Sequence, residues 1–600
     1  MEAKERSIQE VFCADRVLRI PFFQRTYEWS EPNWERFDND MVGLADRAAE
    51  RKYFLGSLIL KEDTITEEER NDFITSKFTI IDGQQRLTTL SLYIKALVNR
   101  IGENGISRNF NNLFLYNDEN KTPKLQHSIN DRDAYRDIML DGISSYTIYK
   151  SDRVIQAYKY FLNKLQDKSQ ADLRQILRAI YSNITFVAIT LNNQDDEQQI
   201  FDTINSLGVR LTIDELMKNF LYDSVNETEY NNNWKPIFDT QEAFNFWREN
   251  DAATSQAANE KNTVIYNFFF DFVRIKMWDF ASRPGFNAKQ YVKRDEVLET
   301  CKAFVERYGI GKQDLANEII EYAKLYSRYF NKKALYSPIP KYPCIERIAC
   351  ISMVHNTAMR PYILYILKSV ENERDRNNIF KFLETYIIRR AICKADTKTS
   401  EIWTEQLIRL RINSIDALRN YIMSKEEDNL HHMPTDNEVE IAIENNDLDS
   451  YSRLILYLME SIVSPQLNYG YNYFLAKQII PSPNRKNREV YPQHTDPVLE
   501  ELRKARIKTI GNYTLLNLGN KIGTTLTNDT DDEIKHETKV AKKADNKCFV
   551  DKKSSIEGYI NNVRCMQWFT SLNQWSEDLI CERNKDIARY INTRFWAINN

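Results

Sequence analysis

Two short segments carry residue types that can handle an anion: Ile20-Pro21-Phe22-Phe23-Gln24-Arg25 and Asp82-Gly83-Gln84-Gln85-Arg86. The second follows the apolar run Phe78-Thr79-Ile80-Ile81 and leads straight into a stretch with Leu87, Leu90, Ile94, Leu97 and Val98 at helical spacing. A strand that ends at Gly83 and turns at once into a helix presents free N–H groups and the positive end of a helix dipole, which suits phosphate. Arg86 in the first turn can offer its fork to phosphate oxygens. Asp82 can cap the helix, hold Mg²⁺ through water or polarise an attacking water. Gln24-Arg25 repeats the Gln-Arg pair at the end of a second predicted strand, so both pairs could converge on one anionic ligand. Tyr27 and Trp29 are expected to pack in the core rather than stack on a base.

Other motif chemistry is missing. Gly311-Lys312-Gln313 lacks the first glycine of a P-loop, with Glu306 in its place, and there is no G-x-G-x-x-G, H-E-x-x-H or EF-hand loop. With 6 His in the chain, a multi-His metal site is not expected. No metal ligand is assigned with certainty; Asp82 is the one candidate.

The elements that must position these residues read as follows. Strands are predicted at 19–23, 53–60, 78–81 and 183–191, and a helix at 31–48 with Trp34, Phe37, Met41 and Leu44 on one face. Residues 110–180 read as helical and charged. Thr212-x-x-Glu215 is a capping box. From 230 to 460 the period is helical, with stripes at 362–367, 380–388 and 454–462. Residues 463–500 read as loop, 509–518 as a turn and strand, 524–555 as a polar mobile loop, and 556–597 as aromatic-rich helix.

Composition sets the outer limits. The 600 residues carry 82 Lys+Arg against 86 Asp+Glu, a net charge of −4, which excludes a polybasic binder but not a local nucleic-acid groove. Gly and Pro number 15 each, against usual shares of about 7% and 5%, which disfavours turn-rich β-sandwiches. No stretch approaches the roughly 18 apolar residues of a membrane span. The charged start MEAKERSIQEVF does not read as a signal peptide. The 8 scattered cysteines, without C-x-x-C, suit a reducing cytoplasm, where the chain is expected to reside. The expected class is α+β and predominantly helical, in three parts: 1–230, 231–462 and 463–600.

IPFFQRTYEWSEPNWERFDNDM, YFLGSLIL and IIDGQQRLTTLSLYIKAL together resemble the N-terminal domain of the GmrSD family, type IV (modification-dependent) restriction systems that act on phage DNA. The resemblance implies a ParB/sulfiredoxin-like α/β domain over 1–230 that binds and hydrolyses a nucleoside triphosphate (GTP, UTP, ATP or CTP) with Mg²⁺. Asp82, Gln84, Gln85 and Arg86 would then be catalytic, with the glutamines positioning the nucleophile. Gln24, Arg25 and Gly83 would bind nucleotide. Phe201 to Leu211 is similar to a later family block, which adds Asn205, Gly208 and, further on, Lys218 to the nucleotide site. Glu384-Thr-Tyr-Ile-Ile-Arg389-Arg390 resembles the family's helical middle, 231–462.

The same resemblance implies an HNH-like (His-Me finger) nuclease domain over 463–600. Ile510-Gly511-Asn512-Tyr513-Thr514-Leu515-Leu516 fits its second half, with Asn520 following. Its Glu-His-Ile-x-Pro motif fits best at Lys477-Gln478-Ile479-Ile480-Pro481, where Gln478 replaces the catalytic histidine; an alternative frame, Arg488-Glu489-Val490-Tyr491-Pro492, puts Glu489 there, and His494 lies in a different register. A carboxamide has no usable basicity near neutral pH, so the nuclease site is expected to be degenerate. Residues 484–508 keep 7 basic and 4 acidic side chains, which leaves two readings open there, phosphate contact or a solvated loop. The reading is a sensor or regulatory subunit that meets modified phage DNA beside a sister nuclease subunit, or as a homo-oligomer, with no membrane. The rivals are a self-sufficient NTP-dependent endonuclease and a non-catalytic nucleotide- or DNA-binding scaffold.

Overall fold

The computed structural model describes residues 2–598 except 14–15, 22–23, 47–51, 66, 68–73, 103–104, 117–121, 142–152, 192–211, 223–226, 251–262, 292, 341–344, 396–399, 426–430, 465–466, 483–493, 524–529, 544–546 and 548. It is mostly helical with a mixed sheet, and it divides into two compact units, Met1–Asn232 and Asn233–Asn600. Asn205 and Gly208 lie outside the described residues.

The first unit is built on strands β1 (Glu2–Ser7), β2 (Arg16–Arg19), β3 (Tyr53–Glu62), β4 (Ser76–Asp82), β5 (Leu125–Gln126) and β6 (Ile184–Leu191), in the order β1-β6-β3-β4-β2-β5. β6 runs antiparallel to β1 and parallel to β3, β3 antiparallel to β4, and β2 parallel to both β4 and β5. Helices α1 (Glu31–Asp46), α2 (Gln84–Ile101), α3 (Arg153–Lys164) and α4 (Gln170–Asn183) pack with this sheet in one core. In α2 even Thr88, Thr89, Ser91 and Lys95 are buried, the mark of a helix enclosed on every side. The Lys95 ammonium stays satisfied there by Tyr116 Oη (2.8 Å) and the Met139 carbonyl (2.6 Å). Helix α5 (Ile213–Leu221) starts at the predicted box, with the Thr212 N–H donating to Glu215 Oε2 at 2.8 Å.

Two expectations for this unit need correction. The strand predicted at 19–23 forms earlier, at Arg16–Arg19, where Val17 and Leu18 enter the core and the backbone pairs with β4. Asn183 closes α4 and does not open β6.

The second unit contains helices α6 (Val264–Lys276), α7 (Ile345–Val354), α8 (Glu373–Ile392) and α9 (Asp449–Val463), then strand β7 (Phe474–Gln478), helix α10 (Pro497–Arg506), strand β8 (Tyr513–Asn517) and helices α11 (Thr530–Lys542), α12 (Phe549–Ile560) and α13 (Glu577–Tyr590). β7 and β8 pair antiparallel, Gln478 opposite Tyr513. The segment 463–500 is therefore not all loop. Nor is 524–555: α11 and the start of α12 occupy it, their charges on exposed faces while Ala541 and Lys552 are buried. The Lys552 ammonium donates to the carbonyls of Gln478 (3.0 Å) and Ile479 (2.6 Å), which is how so polar a helix docks.

Glu384, Arg389 and Arg390 are structural hubs. Glu384 receives Arg347 Nη2 at 2.6 Å, Arg347 Nε at 3.0 Å and Trp596 Nε1 at 2.9 Å. Arg389 donates to the Pro434 and Trp596 carbonyls and to Asp436. Among the described residues, no helix is long and apolar enough to cross a membrane.

Candidate functional site

The turn between β4 and α2 is made by Gly83, at φ +105°, which serves as the N-cap residue of α2 and offers no side-chain cap. A Cβ there would stand 2.3 Å from Leu58 Cδ2, so only glycine fits. Asp82 does not cap the helix. Its Oδ2 accepts from Arg86 Nη2 at 2.9 Å, and the same Nη2 donates to the Ser57 carbonyl at 2.6 Å. Arg86 lies against Gly56, itself at φ +130°, where a Cβ would be 3.0 Å from Arg86 Nη1. The guanidinium is thus cradled by the Gly56–Ser57 backbone and the Asp82 carboxylate. Its Nε is buried without a hydrogen bond, and Nη1 has no hydrogen-bond partner among the described residues. Arg86 and Asp82 side chains keep 25% and 31% of their surface exposed, so this ion pair can still meet a ligand.

The glutamines tie the first segment to this turn. Gln24 is buried, and its Nε2 donates to the carbonyls of Ile80 (3.3 Å) and Ile81 (2.9 Å) at the end of β4. Gln84 Nε2 reaches the Arg25 carbonyl at 3.3 Å. Gln85 uses both ends of its amide: Oε1 accepts from the Glu28 N–H (2.9 Å), and Nε2 donates to the Thr26 carbonyl (3.0 Å). Residues 24–29 are thereby laid along the first turn of α2. Arg25 is held by Glu28 at 3.4 Å. Tyr27 is buried, bonded through its hydroxyl to Thr89 (2.7 Å) and Trp34 (2.9 Å), and Trp29 packs against the same core. Lys218 stands on α5, buried, with its ammonium 5.8 Å from the Tyr230 ring centroid.

Gly56, readable as a close-approach glycine inside its strand run, makes the Arg86 cradle together with Ser57. Ser57, Asp131 and His127 were not reached by sequence reasoning. Asp131 Oδ2 accepts the Tyr27 N–H at 2.7 Å and so fixes the Arg25-bearing loop from behind. His127 Nε2 meets Thr88 Oγ1 at 3.0 Å, and burial pushes its pKa down to about 3, so the ring is neutral.

In the second unit, Gln478 and Asn512 meet at the β7–β8 pair. The Gln478 amide donates to Tyr513 Oη (3.0 Å) and the Ile507 carbonyl (3.2 Å) and accepts from the Ser482 N–H (3.1 Å). Asn512 is fully buried and saturated: it clamps Ile480 through N–H (2.9 Å) and carbonyl (2.8 Å), donates to the Ile507 carbonyl (2.8 Å), and accepts from Trp575 Nε1 (3.3 Å). His494 is engaged elsewhere, its Nε2 3.1 Å from Glu577 Oε1 and its N–H on Glu500 (2.9 Å). Asn520 accepts from Asn517 at 3.2 Å. Among the described residues no cluster of three or more His, Cys, Asp or Glu is placed to hold a metal ion.

Residues 8–222 match the family described as GmrSD restriction endonuclease, N-terminal domain. The match spans β2 to β4, the Gly83 turn and α5. Over these residues the first unit is similar to that domain, in agreement with the resemblance carried by IPFFQR and DGQQR. No curated protein matches the chain.

Proposed function

We propose that this chain is the NTP-hydrolysing sensor or regulatory subunit of a GmrSD-like anti-phage restriction system, acting on modified phage DNA beside a cutting partner. The similarity to the GmrSD N-terminal domain supports the restriction role. One observation carries the NTPase reading: Arg86 is held, with Nη1 unpartnered, at an uncapped helix N-terminus beside the Arg25 loop. Arg25 and Arg86 would bind the phosphates, and the α2 N–H groups would complete the cradle. Gln24, Gln84 and Gln85 have their amides on backbone groups, so their work is to hold the Arg25 loop in place. Asp82 is then the group that orients the attacking water. Mg²⁺, which neutralises charge on the phosphates, would be held by Asp82, in keeping with its habit of taking one or two carboxylates plus substrate oxygens. A ParB/sulfiredoxin-like class for the first unit, and Lys218, Asn205 and Gly208 as further nucleotide contacts, belong to the same proposal.

The regulatory role rests on Gln478, whose amide is spent on Tyr513, Ile507 and Ser482 and has no basicity to lend. We read 463–600 as an HNH-like region that keeps its Asn512 clamp without its base. A second reading, a self-sufficient endonuclease, is favoured by the His494–Glu577 pair, a histidine oriented by a carboxylate.

The test is phosphate release with each of the four NTPs and Mg²⁺, with and without modified phage DNA. Hydrolysis of at least one NTP, lost in Asp82→Ala and Arg86→Ala, is expected. Equal hydrolysis by wild type and both variants would reject the site.

A further inference from the structure

A cavity of about 510 Å³ opens in the second unit between α9, the segment 564–572 and α13. That volume falls within the roughly 300–1,000 Å³ of small-ligand pockets. Its walls combine aliphatic side chains with four aromatic rings. The Trp568 and Trp575 rings meet at 5.0 Å and 42°, and Tyr590 and Phe595 lie further along the lining. Both indole N–H groups are already used, Trp568 on the Cys565 carbonyl at 2.9 Å and Trp575 on Asn512 Oδ1 at 3.3 Å. The rings therefore line the cavity with apolar surface and no free donor. Arg583 backs Trp568 at 4.0 Å and is anchored on the Gly511 (2.8 Å) and Tyr513 (2.6 Å) carbonyls, so it supports the ring and is not available to an anion.

The polar groups of the lining differ from this. Arg564 and Arg594 are exposed, and neither guanidinium has a hydrogen bond or ion pair among the described residues; Arg594 has only the Phe595 ring, at 5.9 Å. Glu582 is exposed with its carboxylate also unpartnered, whereas Asp586 is paired with Arg589 at 2.7 Å. Aromatic rings in the lining, two uncommitted guanidinium groups and one uncommitted carboxylate match three features of a single ligand class. These are a planar base, an anionic phosphate and the amine or ring N–H of a base edge. An apolar ligand would account for the rings but not for the free arginines.

We propose that this cavity binds a nucleotide unit, its base against Trp568 and Trp575 and its phosphate on Arg564 and Arg594. The unit is either a free nucleotide or one residue of a single strand. The site is separate from the Arg25–Arg86 turn and does not depend on the NTPase reading. Because Trp575 and Arg583 are bonded to residues 511–513, an occupant lies one side chain away from the Asn512 clamp.

The test uses the full chain carrying Arg25→Ala and Arg86→Ala together, the pair expected to silence the first-unit phosphate site. Calorimetric titrations with the four nucleoside monophosphates, and separately with a short single-stranded oligonucleotide, are compared in four backgrounds. Saturable binding is expected. It should weaken by roughly 5- to 150-fold in Trp568→Leu, the range for loss of a base–aromatic stack. It should weaken by about 10-fold or more in the paired Arg564→Ala, Arg594→Ala variant. Ser571→Trp, which fills the cavity from its exposed rim, should abolish it. Binding of monophosphates identifies a free nucleotide as the source, and binding of the oligonucleotide alone identifies a strand; either supports the proposal. No saturable binding of either probe, or binding unchanged by Ser571→Trp and by the arginine pair, would overturn it.

Discussion

Replacing Gly83 by Ala tests whether the strand-to-helix turn is built as described. The backbone at Gly83 has φ +105° and ψ 4°, and an added Cβ would sit 2.3 Å from Leu58 Cδ2 and 3.3 Å from the Ser57 carbonyl. Backbone strain at such a position costs roughly 1–3 kcal/mol. Leu58 is fully buried in the sheet and can yield only by repacking its neighbours, so overpacking adds about 1–3 kcal/mol. The sum is ~2–6 kcal/mol. Gly102, at the other end of α2, is the internal control: its φ is +81°, but nothing lies within 4 Å of its Cβ position. Gly102→Ala should therefore cost only the strain, roughly 1–3 kcal/mol. Native-state hydrogen exchange of β4 and α2 amides reads both variants within the first unit, free of the second unit's unfolding. If Gly83→Ala costs less than about 1 kcal/mol, neither the strain nor the Leu58 contact is there and the turn is wrongly described.

Three further outcomes follow from other parts of the chain. Glu384→Ala leaves Arg347 buried without its carboxylate, so the second unit should lose about 3–5 kcal/mol in denaturant titration, and a loss below about 1 kcal/mol would contradict the burial of that pair. His127 has its pKa held down to about 3 by burial, below its ordinary 6.5, so its contribution is complete above pH 6.5 and is lost as pH falls toward 3. The slope is at most ~1.4 kcal/mol per pH unit, and a His127→Gln variant with the same acid profile as wild type would refute it. The unmodified chain should leave DNA uncut with Mg²⁺ or Mn²⁺, since a missing general base is worth about 10²–10⁴ in rate; Gln478→His is the gain-of-function arm, and strong wild-type cleavage abolished by His494→Ala would favour the endonuclease reading.

What the sequence disclosed depended on how local the cause was. The Gly83 turn was legible because β4, the glycine and the α2 stripe are contiguous and each points the same way. The Thr212–Glu215 box was legible for the same reason. The meeting of the two Gln-Arg segments was readable only as a conjecture, since it depends on Gln24 and Gln85 spanning some 57 positions to reach backbone groups. β1 escaped notice because Glu2–Ser7 is charged; it is a sheet-edge strand, where charge guards against stray pairing. α11 and the first half of α12 read as loop because their polar surface hides what docks them: Lys552 is buried by finding two carbonyls, and Lys477 by donating to the Ala541 carbonyl at 2.7 Å. Gln85 illustrates the limit for function. Its residue type suggested handling water, whereas its geometry commits both amide ends to a loop.

The central claim is that Arg25 and Arg86 serve one triphosphate. It is tested most directly by the equilibrium affinity of a non-hydrolysable NTP for wild type, Arg25→Ala, Arg86→Ala and the double variant, each checked for folding by hydrogen exchange. Each single change should weaken binding by about 10- to 100-fold, the worth of a charge-assisted contact, and the double variant should bind no measurable ligand. An affinity unchanged by both single substitutions would contradict the account.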